Sequence, residues 1–433
     1  MARQDEIIVG LDVGTTGVKT VVAEVKADGQ VDIIGVGMSP SHGIKKGVVV
    51  NVTETRDAIQ QAVHEAELMA GCTVNAVYVG VSGGHLKSFN NRGIVSVQNS
   101  EVAEPDVARV IENARAVQIP ADRCIIHTVP QEYVVDDNDG IKYPVGISGV
   151  RLQVNVHIIT ALTSGTQNVR QCCERAGLHV VKCYSDLLAS SFAVLEDDEK
   201  ELGVVLVDIG GGTTDIAVYH NGAIVHSAVL PVGGDHITSD IAVGLRTPKA
   251  EAERVKLRHG CALSSMIEED VEIDVACVGG RDPIKRRQTL LCDIIEPRME
   301  EIFRLIEREV QASNFADVLG SGVVISGGTA LLPGIAELGE EVLNLPVRIG
   351  KPKPELTSSG PRGGGIPCTI GGLYDLVKAP TLSTAMGLVL LGVVEERTGL
   401  DGAKGPRTGG VRGPGGFFGG LGIKIGNWVR EAF

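Results

Sequence analysis

The sequence contains no apolar run long enough to cross a membrane as a helix. The longest run near its end, 385–394, is well below the roughly 20 residues that a bilayer requires. The first six residues are polar and include no apolar signal stretch. Both absences argue against a membrane-spanning protein, and we expect a soluble body located in the cytoplasm.

Cysteines at metal-ligand spacing and an excess of positive charge are also missing. None of the nine cysteines forms a CxxC pair, so we expect reduced thiols rather than a disulfide framework or a zinc site. The net charge of −14 argues against nucleic acid as the main partner. A hydrophobic share of 43% is ordinary for a globular protein. The length of 433 residues predicts about three domains.

One glycine-rich stretch predicts a loop that binds phosphate. Residues 204–215 read VVLVDIGGGTTD, an apolar strand that ends at an aspartate and leads into three glycines. Successive glycines reach left-handed dihedral angles and turn their amides to one side, which makes an anion cradle. A carboxylate at the end of a buried strand suits Mg²⁺ held partly through water. The candidate residues are Asp208, Gly210, Gly211, Gly212, Thr213, Thr214 and Asp215.

The same order of residue types occurs near the start of the chain. Residues 8–19 read IVGLDVGTTGVK, and the candidates here are Asp12, Gly14, Thr15, Thr16 and Lys19. Either copy alone could be a tight hairpin turn. Two copies half a chain apart predict two similar lobes, each offering one phosphate loop to a cleft between them. We expect Asp12 and Asp208 to hold Mg²⁺ there, partly through water.

A segment without this pattern follows in the first half of the chain. Helical spacing predicts a helix over 104–116, and short apolar or alternating runs predict strands over 125–128, 132–135 and 152–158. We interpret residues 85–160 as a small α/β module inserted between two halves of the first lobe. The alternative is a decorated edge of that lobe.

The end of the chain has a different composition. Residues 402–422 contain ten glycines and two prolines, which predicts a flexible tether. On a helix, the residues beyond it place aromatic and aliphatic side chains on one side, with basic residues beside or opposite them. This pattern predicts an interfacial membrane anchor, and the alternative is a helix that docks on the body. The candidate lipid contacts are Phe417, Phe418, Leu421, Lys424, Ile425, Trp428, Val429, Arg430 and Phe433.

The two glycine loops are similar to phosphate loops one and two of the actin, Hsp70 and sugar-kinase superfamily. The resemblance implies an α/β, actin-like fold of two RNase H-like lobes that binds ATP with Mg²⁺. It implies that the glycines of a third stretch, VVISGGTAL at 323–331, lie under the adenosine. The residues concerned are Gly327, Gly328 and Thr329.

Further site residues follow from this resemblance. Gly233 and Gly234 are expected to add an anion or ribose contact, and Glu253 and Lys256 to flank the adenine, although a solvated charged face explains the last two nearly as well. Helices over 187–195 and 381–391 are expected to cross at the hinge between lobes. Asp186 stands where superfamily members polarise the attacking water. It could equally be a plain helix N-cap.

The inserted module and the tail resemble those of the FtsA family of bacterial division proteins. The matching residues of the module are His127, Pro130, Tyr133, Asp137, Gly140, Ile141, Pro144, Gly146, Gly149, Leu152, Val154 and His157. The resemblance implies a scaffold, at most a weak ATPase, that polymerises on the cytoplasmic face of the inner membrane at the division site. Its implied partners are the C-terminal peptide of the tubulin-like protein FtsZ, other divisome proteins, membrane lipid and itself.

Two alternatives share the superfold, a pilus-assembly actin-like protein and a small-molecule kinase. For the FtsA interpretation, a basic run at 285–287 gives the part of the chain at 241–311 a surface for an acidic peptide. The predicted first lobe consists of subdomain 1A at 1–84, 161–200 and 379–398 and the inserted subdomain 1C at 85–160. The predicted second lobe consists of subdomain 2A at 201–240 and 312–378 and subdomain 2B at 241–311. A linker at 399–416 and a membrane-targeting helix at 417–433 are predicted to follow.

Overall fold

Two sheets built on the same plan form the two lobes. The structure is a computed structural model that describes residues 6–26, 29–357 and 367–398. The tail and its candidate lipid contacts, within 399–433, lie outside the described residues.

The first lobe begins with a meander. Its elements are β1 (Glu6–Val13), β2 (Gly17–Val25), β3 (Val31–Pro40), β4 (Ile44–Lys45), β5 (Val48–Val49), α1 (Val52–Ala70) and β6 (Ala76–Val81). Helix α1 starts where the Asn51 side chain accepts hydrogen bonds from the amides of Thr53 and Glu54, and it ends at Gly71, which is left-handed at φ 68°.

The inserted module follows β6 and has its own sheet. Its elements are β7 (Lys87–Ser96), α2 (Glu104–Arg115), β8 (Arg123–Val135), β9 (Asn138–Ile141) and β10 (Arg151–Leu162). The sheet order is β7-β10-β8-β9, and side chains such as Val110, Leu152 and Ile158 pack into a separate core against α2. A module with its own sheet and core is not an edge decoration of the first lobe.

The two strands predicted at 125–128 and 132–135 are a single strand, β8. Its pairing with β10 shifts register at Pro130, which pairs with Val156 while Glu132 pairs with Asn155. Proline lacks the amide that a sheet ladder needs, so a bulge interrupts the ladder without ending the strand. The proline divides the apolar pattern of one strand into two short runs.

The chain then returns to the first lobe and enters the second. The elements are α3 (Thr163–Arg175), β11 (His179–Ser185), α4 (Asp186–Val194), α5 (Asp197–Leu202), β12 (Val204–Ile209), β13 (Thr214–His220), β14 (Ala223–Leu230), α6 (Gly234–Gly244), α7 (Lys249–His259), β15 (Glu272–Val275), β16 (Ile284–Arg287) and α8 (Gln288–Ala312). Helix α8 continues through Pro297, where the sequence predicted a bend or a new helix.

The remaining elements complete both lobes. They are β17 (Val323–Ser326), α9 (Ile335–Leu343), β18 (Val347–Ile349), β19 (Glu355–Thr357), β20 (Pro367–Gly372), α10 (Tyr374–Val377) and α11 (Ser383–Thr398). Short 3₁₀ turns lie at Ser264–Met266, Val278–Gly280, Ala316–Val318, Gly328–Leu331 and Pro380–Leu382.

The two main sheets share one strand order. The first runs β11-β6-β1-β2-β3 and continues into β20 and β19. The second, written in the same direction, runs β18-β17-β12-β13-β14. In each, an antiparallel hairpin carries the glycine loop, and a parallel strand pairs with its first strand. The predicted two-lobed actin-like fold with an inserted α/β module is confirmed.

Helices α4 and α11 cross between the two sheets. Their side chains share one hydrophobic core with residues of both lobes, for example Ile8 from the first and Leu206 from the second. The crossing is close: a Cβ placed on Gly387 would lie 1.8 Å from the Ala189 carbonyl oxygen. Glycine is therefore required at this contact, as the small-residue pattern of both helices indicated.

Candidate functional site

The two glycine loops face each other across the cleft between the lobes. The β1–β2 turn is closed by the Gly14 amide donating to the Gly17 carbonyl at 3.2 Å, and the β12–β13 turn by Gly210 donating to Thr213 at 2.9 Å. The tips are almost in contact, because a Cβ on Gly211 would lie 2.4 Å from the Thr16 methyl carbon. Larger residues in the second loop would force the two loops apart.

The loops enclose a cavity of about 410 Å³, a size typical of small-molecule sites. Predicted residues in its wall are Asp12, Gly14, Thr15, Thr16, Lys19, Asp186, Asp208, Gly210, Gly211, Gly212, Thr213, Asp215, Gly327 and Gly328. Further lining residues that the sequence did not single out are Met38, Ser39, Pro40, Gly47, Ser82, Pro380, Thr381 and Thr384. Of the 25 lining residues, eleven are candidates from the two glycine-rich patterns, and Asp186, Gly327 and Gly328 follow from the resemblance.

Four carboxylates and one lysine meet in this cavity. Asp12 and Lys19 pair across the β1–β2 hairpin, with Lys19 Nζ 2.7 Å from Asp12 Oδ2. In the second lobe, Asp208 and Asp215 are opposite each other across the β12–β13 hairpin. Asp215 thus occupies the position that Lys19 has in the first lobe. The two hairpins are alike in backbone but opposite in charge at this point.

Asp186 is the fourth carboxylate, at the first residue of α4. The N-cap of α4 is Ser185, and no side-chain capping bond is present there. The interpretation of Asp186 as a plain N-cap is therefore wrong. Its Oδ1 atom is buried without a hydrogen-bond partner among the described residues. An unpartnered buried carboxylate oxygen is costly, which favours a role toward a bound group.

Crowding and burial change the acidity of these groups. Burial, with repulsion from Asp12, Asp215 and Asp208, raises the pKa of Asp186 well above its usual value. Burial and the neighbouring Asp12 raise the pKa of Asp208 to about 6. Burial and the neighbouring Asp208 raise the pKa of Asp215 to about 7, although the Ser82 hydroxyl donates a hydrogen bond to Asp215 at 2.9 Å and lowers it. Burial opposes charge on Lys19, but attraction to Asp12 outweighs it and raises the pKa of the ammonium.

The donor set fits Mg²⁺ that is held mainly by phosphate and water. Within the described residues, no three carboxylate, histidine or cysteine side chains are close enough to ligate one metal ion together. Mg²⁺ usually keeps several waters and takes one or two carboxylates plus substrate phosphates. The excess of carboxylates over lysine and the unpartnered oxygen of Asp186 both favour a cation brought in with a phosphate group.

The candidate adenosine contacts fall into two groups. Gly327 and Gly328 line the cavity, whereas Gly233, Gly234, Glu253, Lys256 and Thr329 are not among its lining residues. Lys256 Nζ is 2.7 Å from Glu253 Oε2, and it donates to the Gly234 carbonyl at 3.2 Å. Both side chains are therefore part of a network between α6 and α7, not a solvated face.

Two of the predicted threonines have structural contacts. Thr214 is fully buried, and its hydroxyl donates to the Val232 carbonyl at 2.9 Å, so it does not line the cavity. Thr329 donates through Oγ1 to the Gly210 carbonyl at 3.1 Å, which attaches the third glycine stretch to the second loop.

Ser82 and Thr384 were missed because their neighbours in sequence carry little signal. Ser82 follows strand β6 directly and donates to Asp215 across the cleft, and Thr384 Oγ1 lies 3.5 Å from Asp208 Oδ2. The glycine pair that follows Ser82 was the available sign of a loop at the cleft.

No helix within residues 6–398, apart from the undescribed gaps, is long and apolar enough to cross a membrane.

Family comparisons agree with the inserted module and the second lobe. The family model described as "Cell division protein FtsA" matches residues 205–387. The model described as "SHS2 domain inserted in FTSA" matches residues 83–160. Two separate parts of the chain therefore match models of the same family.

Similar proteins span nearly the whole chain. A protein described as "Cell division protein FtsA" from Pseudomonas aeruginosa is 44% identical over 398 residues, which cover 92% of each chain. One with the same description from Neisseria meningitidis is 40% identical over 439 residues and covers 100% of both. A chain of the "PilM-PilN type IV pilus biogenesis complex" superposes with a TM-score of 0.61 at 16% identity, covering 89% of this chain and 98% of that one. At this identity the last similarity shows the fold alone.

The unpartnered carboxylate predicts a gain in stability on neutralisation. Replacing Asp186 by Asn should raise the free energy of unfolding at pH 8, without nucleotide or Mg²⁺, by about 1–3 kcal/mol, because a neutral amide removes the charge that burial and the three neighbouring aspartates disfavour. The folded state binds protons at Asp186 more tightly than the unfolded state does, because the pKa is raised. Stability from this group is therefore lost as pH rises, and the advantage of Asp186→Asn should shrink toward pH 5.

Chemical denaturation at pH 5 and pH 8 measures this effect. The control is Asp122→Asn on an exposed loop, which should change the unfolding free energy by less than about 0.5 kcal/mol. A loss of stability in Asp186→Asn at pH 8 would contradict the placement of Asp186 in a crowded acidic site.

Proposed function

Since this chain belongs to the FtsA family of cell division proteins, we propose that it is an ATP-binding scaffold of the division machinery. In this proposal it polymerises at the cytoplasmic face of the cell membrane, anchors FtsZ filaments there and recruits later division proteins. The observation that carries the nucleotide part is the pair of facing glycine loops with carboxylates at the base of their cleft.

ATP with Mg²⁺ satisfies the electrostatics of the cleft. The amides of Gly211 and Gly212 lie on a glycine loop that suits phosphate oxygens, and Asp12 and Asp208 are placed for a hydrated Mg²⁺. The adenosine is assigned to the space beside Gly327 and Gly328, with Lys256 and Glu253 behind it. The cation supplies the positive charge that four carboxylates and a triphosphate need in one cavity.

A weak ATPase is consistent with the acidity of the site. A carboxyl group polarises water best when it is ionised, and burial among other carboxylates favours the protonated form of Asp186. Hydrolysis would therefore depend on the bound cation lowering that pKa. We propose Asp186 as the residue that acts on water and regard scaffold function as the main role.

Binding of ATP tests the nucleotide part. Equilibrium dialysis with labelled ATP and Mg²⁺ should show saturable binding to the wild type. Asp208→Asn should weaken it about 10–100-fold, the usual range for residues that position a metal. Asp122→Asn, on an exposed loop, should bind normally. Absence of ATP binding by the folded wild type would overturn this part of the proposal.

A basic surface in the second lobe supports the FtsZ contact. Lys285 and Arg287 lie on strand β16 with exposed side chains. Lys285 forms an ion pair with Glu272, and Arg287 forms one with Asp270. Exposed pairs of this kind are worth little, so an acidic peptide can replace the internal partners at small cost. We assign the C-terminal peptide of FtsZ to this part of the chain and the membrane anchor to 417–433.

Vesicle co-sedimentation with FtsZ tests both assignments. Wild-type protein with ATP should carry FtsZ down with anionic vesicles. Trp428→Glu should leave both proteins in the supernatant because a charge replaces the central aromatic of the apolar side, whereas Trp428→Phe should retain binding. The double variant Lys285→Glu, Arg286→Glu should itself bind vesicles but leave FtsZ unbound. Sedimentation of Trp428→Glu at the wild-type level would rule out the tail as the anchor.

A further inference from the structure

The hairpin β4–β5 reaches the cavity through a strained two-residue turn. Its central residues Lys46 and Gly47 have φ angles of 51° and 73°. Two left-handed residues make the tight turn that suits a two-residue hairpin, but the first is normally asparagine, aspartate or glycine. A lysine there is disfavoured, because its Cβ atom comes too close to the following carbonyl oxygen. Strained residues of this kind cluster at ligand-binding clefts, where the strain is part of the function.

The turn lies between the two phosphate loops. The Gly47 amide donates to Thr15 Oγ1 in the first loop at 3.1 Å. The Cα atom of Lys46 lies 3.0 Å from the position of a Cβ on Gly212 in the second loop. Gly47 also lines the cavity, and a Cβ on it would lie 2.7 Å from the Cα of Gly83. The turn is therefore in contact with both loops and with the end of β6.

The base of the hairpin is attached to helix α1. The Gly43 carbonyl accepts from the amides of Val50 and Asn51 at 2.9 and 3.0 Å, and Asn51 caps α1. With the tip held by Thr15 and the base held by α1, the backbone is fixed at both ends. Only the flexible four-carbon stem of Lys46 needs to move to reach a ligand.

The charge balance of the cavity calls for another cation. Of the described residues that line it, Lys19 is the only lysine or arginine, and it is already paired with Asp12. Lys46 is exposed beside the second loop and has no ion pair with any residue the structure describes. A triphosphate brings one more phosphate group than a diphosphate, and hence more negative charge, to the region between the two loops.

We propose that Lys46 is a specificity-determining residue that contacts the terminal phosphate of ATP and so distinguishes ATP from ADP. This inference rests on the proposed ATP binding. Lys19 is paired with Asp12 within the first hairpin, whereas the Cα atom of Lys46 lies beside Gly212 of the second loop. The left-handed backbone fixes the Cα atom of Lys46 beside the second loop, and from there its four-carbon stem can extend toward the space where the two loops meet.

The test compares the affinities of wild type and Lys46→Gly for ADP and for a non-hydrolysable ATP analogue, both with Mg²⁺, by isothermal titration calorimetry. Glycine accepts the left-handed dihedral angle, so this variant removes the ammonium and relieves strain. Affinity for the ATP analogue should fall about tenfold, the value of one hydrogen bond to a charged group. Affinity for ADP should be unchanged, and thermal unfolding should show an intact fold.

Two further variants separate the side chain from general charge. Lys45→Ala removes the same charge from the exposed neighbour that pairs with Val48, and it should keep the preference for the ATP analogue. Lys46→Arg should retain most of it. Wild type that binds neither nucleotide would overturn the proposed function and this inference together. Normal ADP and ATP-analogue binding by Lys46→Gly, or an equal loss for both, would overturn the inference alone.

Discussion

Four carboxylates share one lysine at the base of the cleft, and the rest of the site depends on this imbalance. Each lobe provides two of the acids: Asp12 and Asp186 from the first, Asp208 and Asp215 from the second. Together with Lys19 they would carry a net charge of −3 if all were ionised, which burial makes unfavourable. Protons relieve this repulsion in the free protein, which is why the pKa values of three of the four are raised. A divalent cation with a phosphate ligand is the alternative way to neutralise them.

The fold brings these groups together by repeating one plan. In both lobes the first strand of a hairpin carries an aspartate near its end at the cleft, and the crossing of α4 and α11 holds the two sheets against one core. The inserted module makes a second connection between the lobes. Asn90 and Gln131 donate side-chain hydrogen bonds to the carbonyls of Val225 and Ile224 on β14, at 3.0 and 2.8 Å. The module thus covers an edge strand of the second lobe, which would otherwise expose unpaired backbone groups.

The parts of the site that were predictable from sequence are those made by local chemistry. An apolar strand, an aspartate and consecutive glycines specify a hairpin with turned amides wherever they occur, so both loops could be recognised from their residues alone. Ser82 and Thr384 reach the cleft only because strands and helices that are distant in sequence pack together. A single serine or threonine in the sequence does not indicate such a position. The sequence allowed two interpretations of Asp186 with equal weight, because an aspartate at the start of a helix is explained by capping alone, without any contact to the second lobe. The N-cap position of Ser185 and the places of the three other carboxylates decide between them.

Proton release on nucleotide binding tests the central claim most directly. Isothermal titration calorimetry with premixed Mg²⁺ and ATP, at a pH between the values of about 6 and about 7 for Asp208 and Asp215, can be run in buffers of different ionisation enthalpy. The cation should displace protons from the carboxylates, so net release is expected and should diminish in Asp215→Asn. Binding with no proton release in the wild type would contradict this account, in which protons neutralise the excess carboxylates in the free protein and a cation neutralises them in the bound protein.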